Sequence, residues 1–423
     1  MAPDGWQTYK LGDVTNNFDH RRVPVKKADR RAGPYPYYGA SGMVDRVADY
    51  LFDGEYLLIA EDGENLRTRS TPVAFIANGR FWVNNHAHIV RGNHLANTRF
   101  IAYALQGAEI SGYLTGSTMP KLTQGNMNQI PLTLPPRSEQ DSIVRIVRTL
   151  DDKIELNRRM NETLEAIARA IFKSWFVDFD PVRAKAEGRQ PTGLDDCTGA
   201  LFPDTFQDSA LGRIPTGWRV VRLDAVADVV DCLHSRKPSG HDQGRLLLQV
   251  YNVGLTGRLD LTDRFLVSKA DYREWTKRIE LTHGDTVVTK TGRVGAVAQV
   301  PRGIRAGLGR NMVGIRSRPR LATARFLRDW MLSASGRREI HQSTLDGTIL
   351  RSLHVKAVEA LRLLLPPYEV LTRYETAVSA LHHRAEANDA ESETLAAIRD
   401  ALLPKLLSGE IRVRQAEKTV RHA

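Results

Sequence analysis

From Arg137 onward, apolar side chains return at alternating steps of four and three. They are Ile143, Val147, Leu150 and Ile154, then Asn157 and Asn161, then Leu164, Ala168 and Ile171. Such heptad spacing lays one apolar seam along a helix. The pattern returns 231 positions later as Tyr374, Val378, Leu381, Ala385, Asn388, Ser392, Leu395, Arg399 and Leu402. That second seam is weaker, with Ala385 and Arg399 on it and Ile398 beside it. Roughly 35 residues at about 1.5 Å each make each helix a rod about 50 Å long. Neither rod can bury its stripe alone, so the simplest arrangement packs the two on each other. Asn157 and Asn388 hold matching polar positions. A buried pair that fixes register and two solvent-facing side chains fit the pattern equally. Pro136 and Pro367 suit the helix starts, because proline lacks a donor that the first turn leaves free anyway.

The text around the seams is also duplicated. LPPRSEQ at Leu134 recurs as LPPYEVL at Leu365, and Gly116 and Leu122 recur as Gly347 and Leu353, all shifted by 231. Gly5, Trp6, Leu11 and Val14 recur as Gly217, Trp218, Leu223 and Val226, shifted by 212. The second copy therefore holds 19 more residues between its Gly-Trp start and its Leu-Pro-Pro. A unit this long, present twice, is a domain duplication and not a solenoid of ~20–50-residue repeats. Ahead of each helix the pattern reads as mixed α and β. EYLLIAED, TPVAFIA and FWVNNHAHIV predict strands in the first copy, and GRLLLQV, GDTVVTKTG and GAVAQVP in the second. Helical stretches follow around 98–113 and 322–342. The reading is an α+β chain with a pseudo-twofold internal repeat. Its parts are a mixed α/β domain at 1–136, a central long helix at 137–180 and a polar, Pro- and Gly-broken linker at 181–214. A second mixed domain at 215–367, a distal long helix at 368–409 and a short, charged, mobile tail at 410–423 complete it.

The chain has 423 residues, 42% hydrophobic and 26% charged, ordinary for a globular protein. Its net charge is +11, with a pI near 9.7, which suits a polyanionic partner such as nucleic acid. Two cysteines 35 positions apart, Cys197 and Cys232, make neither a disulfide framework nor a cysteine zinc site. The first residues lack an apolar signal core and no uncharged run reaches the ~18 residues of a membrane helix, so a cytoplasmic location is expected.

Catalytic machinery is hard to find. No Gly-Lys pair occurs, which excludes a Walker A loop. GLGRNM at Gly307 lacks the third glycine of a dinucleotide fingerprint. LPPY at Leu365 has leucine where an amino-methyltransferase signature needs a polar residue. His86 and His88 alternate as strand neighbours but have no evident acidic or cysteine partner. Asp178, Asp180 and Asp204 lack the acid-x-Lys arm of a metal nuclease. No catalytic, cofactor-binding or metal residue is assigned.

The ordered set of motifs resembles the specificity subunit of a type I restriction–modification system. It comprises Gly-Trp then LGDV at Trp6–Val14, IPLTLPPRSEQ at Ile130–Gln140, SWFVDFDPVRAKAEG at Ser174–Gly188, LFPDTFQDSALGRIPTGW at Leu201–Trp218 and LLPKLLSGEIRV at Leu403–Val413. LPPYEVL departs from it by lacking the Glu-Gln pair. The resemblance implies two target recognition domains, each reading half of a split double-stranded DNA site, held apart by an antiparallel coiled coil. It further implies two modification (methyltransferase) subunits that use S-adenosylmethionine, and possible restriction subunits that use ATP and Mg, with no cofactor on this chain. A rod of about 50 Å spans at most ~15 base pairs at ~3.4 Å each. Two other readings stand beside it: a self-sufficient DNA methyltransferase or nuclease with a divergent site, and a coiled-coil protein scaffold.

Base readers should be Arg, Lys, Asn or Gln on loops, with other basic residues gripping phosphate. The candidates are Arg21, Arg22, Lys26, Lys27, Arg67, Arg69 and Lys121 in the first copy. In the second they are Arg236, Lys237, Lys290, Arg293, Arg310, Asn311 and Arg351. Tyr35, Tyr37 and Tyr38 could stack on bases or sugars. Lys121 in GSTMPKL and Arg351 in GTILRSL are expected to be shared phosphate contacts.

Overall fold

The computed structural model describes residues 5–254, 256–344 and 352–421. The first copy begins with β1 (Gln7–Lys10), β2 (Thr15–Asn17), β3 (Tyr35–Gly39), β4 (Gly42–Val47) and β5 (Phe52–Asp53). It continues with β6 (Tyr56–Ala60), β7 (Ala74–Ala77), β8 (Arg80–Val83), β9 (Ala87–Gly92), α1 (Thr98–Gly107) and β10 (Pro131–Leu134). The central helix α2 runs Arg137–Lys173. The second copy supplies β11 (Arg219–Arg222), β12 (Ala227–Asp231), β13 (Gly257–Arg258), β14 (Thr286–Thr289) and β15 (Val297–Gln299). After these come β16 (Met312–Ser317), α3 (Ala324–Leu332) and β17 (Arg362–Leu365). The distal helix α4 runs Tyr368–Ser408 and a last helix, α5, Val413–Arg421. Among the described residues no helix is long and apolar enough to cross a membrane.

The chain forms two compact units, and each takes part of both long helices. One holds 1–156 with 390–423, the other 157–389. In the first unit, β2-β9-β6-β7 form an antiparallel sheet and β4-β3-β8-β5 a second, with β3 and β8 parallel. β1 pairs with β10, Gln7 opposite Leu134. β6 is buried at every position, so it reads as a continuous apolar run and not as alternation. Asn97 caps α1 by accepting from the Arg99 and Phe100 N–H groups. Phe100, Ile101 and Leu105 of α1 then pack with Ile143, Val144 and Ile146 of α2 and with Leu402 and Leu406 of α4. Residue numbers rise along one helix as they fall along the other, so this segment is antiparallel.

The expected loose tail is instead folded. Val413, Ala416 and Val420 of α5 join that same core, and Ala416 is fully buried. Their three-and-four spacing gives the short helix an apolar face despite its many charges.

In the second unit the sheet order is β12-β16-β14-β15-β13, and β11 pairs with β17, Arg219 opposite Leu365. The first four strands repeat the β2-β9-β6-β7 order, and β13 adds a parallel edge. The core gathers Phe172 and Phe176 after the seam, Trp218, Phe326 of α3 and Tyr374 of α4. Phe176 lies 5.2 Å from Phe326 and 5.0 Å from Tyr374, ring centre to ring centre. The segment expected as a linker is part of this core. It contains helices Asp180–Ala186 and Asp196–Ala200 and buries Val182, Phe202 and Ile214. Its polar composition hid a few large apolar anchors.

The seam residues face inward as spaced. Ile143, Val147, Leu150, Val378, Leu395 and Leu402 are buried, and Ile154, Leu164, Ile171 and Leu381 are half-buried. Asn157 and Asn388 are both buried. Asn157 Nδ2 is 3.4 Å from the Asn388 carbonyl, and Asn388 Nδ2 donates to Asn161 Oδ1 at 2.8 Å.

Candidate nucleic-acid interface

Each unit gathers loops at the corresponding end of its own sheet. In the first, the residue following β6 is Glu61. Its N–H donates to the His86 carbonyl at 2.9 Å and its carbonyl accepts from Leu122 N–H at 2.8 Å. In the second, the residue following β14 is Lys290. Its N–H donates to the Asn311 carbonyl at 2.7 Å and its carbonyl accepts from Leu353 N–H at 2.9 Å. The same backbone node thus ties together a strand end, the turn before the neighbouring strand and the loop before the sequence returns to the helix.

The side chains at this node carry opposite charge. Glu61 receives Arg22 at 2.6 Å and Lys121 at 3.3 Å. Lys290 reaches Asp231 at 2.5 Å. Asp231 also meets His234 at 2.8 Å. Burial pushes the Asp231 carboxyl up, but hydrogen bonds from Lys290 and His234 outweigh it and hold it below its ordinary range. Asp19 beside Arg22 behaves alike: burial raises it, and bonds from His88 and the Ile89 N–H bring it down.

The loop 115–121 of the first unit is braced from several sides. Thr115 and Lys121 exchange backbone bonds at 2.8 and 2.7 Å, and Gly63 N–H donates to the Pro120 carbonyl. Arg67 donates to the carbonyls of Gly116 and Ser117. Gly116 has φ +86°, and a Cβ there would meet the Met119 carbonyl at 2.2 Å. Met119 stands 62% exposed at the tip. In the second unit the hairpin at Arg293 and the turn at Arg310 and Asn311 lie beside the node. Asn311 adopts φ +63°. Val250, Tyr251, Gly292 and Arg293 line an open hollow of about 560 Å³.

The sequence candidates divide into two groups. Lys26, Lys27, Arg236, Arg310 and Asn311 are exposed. Arg67 and Lys121 are about half exposed while holding loop partners. Arg293 is exposed with a bond to the Val253 carbonyl, and Lys237 lies over the Phe265 ring at 4.2 Å. Arg21 is exposed over the Phe52 ring at 4.8 Å. Arg22, Arg69 and Lys290 are corrections: they have internal partners. Arg69, at φ +49°, donates to the Gln106 and Ala108 carbonyls at the end of α1, and the pairs of Arg22 and Lys290 are mostly buried. Arg351 lies outside the described residues. Tyr37 is buried beneath Arg30, Tyr38 packs on Phe75 and Phe81, and Tyr35 meets Tyr50.

His86 and His88 do not form a pair. His86 precedes β9 and meets Asp62 at 2.8 Å, while both ring nitrogens of buried His88 are engaged, by Asp19 and the Leu122 carbonyl. Asp231, Cys232 and His234 bring an oxygen, a sulfur and a nitrogen within 4.8 Å of one another, but Lys290 and His234 already engage the Asp231 carboxylate. Sequence reasoning missed the acids Glu61 and Asp231 and the exposed Tyr251. Aligning the two strand ends, YLLIA-Glu and TVVT-Lys, would have exposed the node.

A loop-bearing sheet module present twice, with each copy seated on antiparallel helical segments, defines a modular recognition protein. Residues 3–166 match the type I restriction modification DNA specificity domain. The chain is 40% identical over 141 residues to a putative type I restriction enzyme specificity subunit of Haemophilus influenzae, spanning 33% of this chain and 36% of that relative. It is 22% identical to the HindI specificity subunit of the same organism, covering 96% of this chain and 99% of the relative. The fold matches a type I S subunit from M. genitalium with a TM-score of 0.59 at 14% identity, over 95% of this chain and 96% of that one. Residues 3–166 thus carry the type I DNA specificity domain, and the chain as a whole is similar in sequence and fold to specificity subunits of type I restriction–modification systems.

Proposed function

We propose that this chain reads an asymmetric, bipartite double-stranded DNA site with a fixed spacer, one half through each loop cluster. The observation that carries this reading is the duplicated node: one backbone frame, opposite charges and different exposed side chains around it. A common frame supports a common mode of docking, and divergent side chains support different half-sites. Phosphate contacts come from Lys26, Lys27, Lys121 and Arg236, and base readout from Arg293, Arg310 and Asn311.

The chain itself is noncatalytic. Two modification subunits, bringing S-adenosylmethionine, dock on the repeated helical segments with near twofold symmetry. Restriction subunits, bringing ATP and Mg, join them where the system has them. The helical pair sets the spacer. Titrating the assembled modification complex onto duplex DNA over roughly 50 to 200 mM salt tests the reading. It expects one sequence to outcompete scrambled duplex, with affinity falling steeply as salt rises. Equal binding of all duplexes would overturn it.

A further inference from the structure

The two units seat their sheets on the helices by different chemistry. In the second unit the seat is a buried polar network centred on Arg328, whose side chain is 1% exposed. Its guanidinium donates to both Glu165 oxygens on α2 at 2.8 and 3.0 Å. It also donates to Asp329 at 2.7 Å and to the Gly257 carbonyl on β13 at 3.1 Å. Asp329 accepts from the Tyr374 hydroxyl on α4 at 2.5 Å. One planar group thus joins helix α3, strand β13 and α2, and Asp329 carries the link on to α4. Gly257 has φ +84°, and a Cβ there would lie 2.4 Å from Leu332 and 2.8 Å from Arg328. Nearby, Arg325 pairs with Glu386 at 2.9 Å, and Arg258 with Asp389 at 3.0 Å.

The first unit lacks the Glu165–Arg328–Asp329 network at the matching positions; its polar link to α2 lies at the α1 cap, where Asn97 N–H donates to Gln140 and Asn97 Nδ2 to Asp141. Aligning the caps Asn97 and Thr323, and the Arg-Phe that follows each, puts Ala102 where Arg328 stands and Tyr103 where Asp329 stands. The 231-residue shift puts Ala396 where Glu165 stands. Ala102 is buried in the apolar core to which Ile143, Val144 and Ile146 of α2 also belong.

Apolar contact is non-directional and tolerates sliding. A buried ion pair adds little stability over an apolar pair of the same shape, yet leaving one partner buried and unpaired is strongly unfavourable. A shift of one helical turn, about 5.4 Å, would break every bond of the network. Seating the other copy's helix there would strand Glu165 against an alanine. We infer that the Glu165–Arg328–Asp329 network is a positioning device: it assigns the second recognition module to its own helical seat and fixes spacer length. This rests on the DNA-reading function proposed above.

The test uses the assembled modification complex and plasmids carrying both half-sites with the native spacer or one or two base pairs more or fewer. The variant Glu165→Leu/Arg328→Met/Asp329→Asn removes the charges and keeps the volume. It should remain folded and methylate the native site, while its preference for the native spacer falls by roughly an order of magnitude. An unchanged spacer preference in the folded variant would reduce the network to a structural role and overturn the proposal. Should that variant fail to fold, Arg325→Gln/Glu386→Gln, which loosens only the rim, decides by the same ratio: a smaller relaxation supports the proposal and none overturns it. A wild-type complex indifferent to spacer length would overturn the DNA-reading function itself, and the proposal with it.

Discussion

Glu61 and Lys290 occupy one backbone position in two copies of a sheet and carry opposite charge, each neutralised by its own partner, Arg22 or Asp231. The inversion preserves a brace while changing everything a neighbouring loop senses electrostatically. Lys290→Ala leaves Asp231 without its principal cation and should destabilise the second unit by about 2–4 kcal/mol. The exchange Asp231→Lys/Lys290→Asp should recover part of that loss. Urea unfolding of Lys290→Ala, of the single reversals Asp231→Lys and Lys290→Asp, and of the double exchange checks it, and full additivity of the two single reversals would count against a direct pair.

Arg310 and Arg69 separate contact from support. Arg310 is exposed at the turn before β16. Its alanine variant should lower DNA affinity and reduce the log–log salt slope by about 0.9 if it meets one phosphate, or relax one base position if it reads an edge. Arg69 closes the end of α1 through two carbonyls. Arg69→Ala should cost about 1–2 kcal/mol of stability and leave the salt slope of the folded protein unchanged.

His382 gives the second unit an acid-sensitive element. It is buried on α4, its Nε2 has no hydrogen-bond partner, and Asp329 is 3.9 Å away. Burial, then the charges of Arg325, Arg328, His383 and Arg258, lower its pKa to about 2. The unfolded chain takes up that proton near pH 6.5. Between those values the unfolded state binds more protons, so stability is full above pH 6.5 and falls as pH drops toward 2. About 2 kcal/mol should be gone by pH 5. His382→Leu should flatten this limb, and denaturant titrations at pH 7 and pH 5 on both proteins measure it.

Removing residues 410–423 should destabilise the first unit by about 2–4 kcal/mol, because it uncovers Leu406 and removes the apolar face of α5. Thermal unfolding of the truncated chain checks this; an unchanged midpoint would show that α5 does not support its core.

The long helices were legible because a heptad repeat survives in sequence whatever surrounds it. β6 was legible as an apolar run. The tail was misread because Val413, Ala416 and Val420 are outnumbered by charges, although their spacing was there to find. The segment around Val182 and Phe202 was misread for the same reason. The interface was legible only as a set of basic loops. Nothing local distinguishes Arg22, which braces Glu61, from Arg21, which is exposed. That difference arises only when residues 39 positions apart meet.

By the function proposed above, two diverged copies of one module read two halves of one DNA site. Mapping methylated adenines across the genome of cells that express this chain with its modification subunit tests it most directly. A single split motif with a constant unread spacer is expected, lost when this chain is absent. An assembled complex that binds S-adenosylmethionine yet leaves the genome unmethylated, or marks one uninterrupted motif, would contradict it.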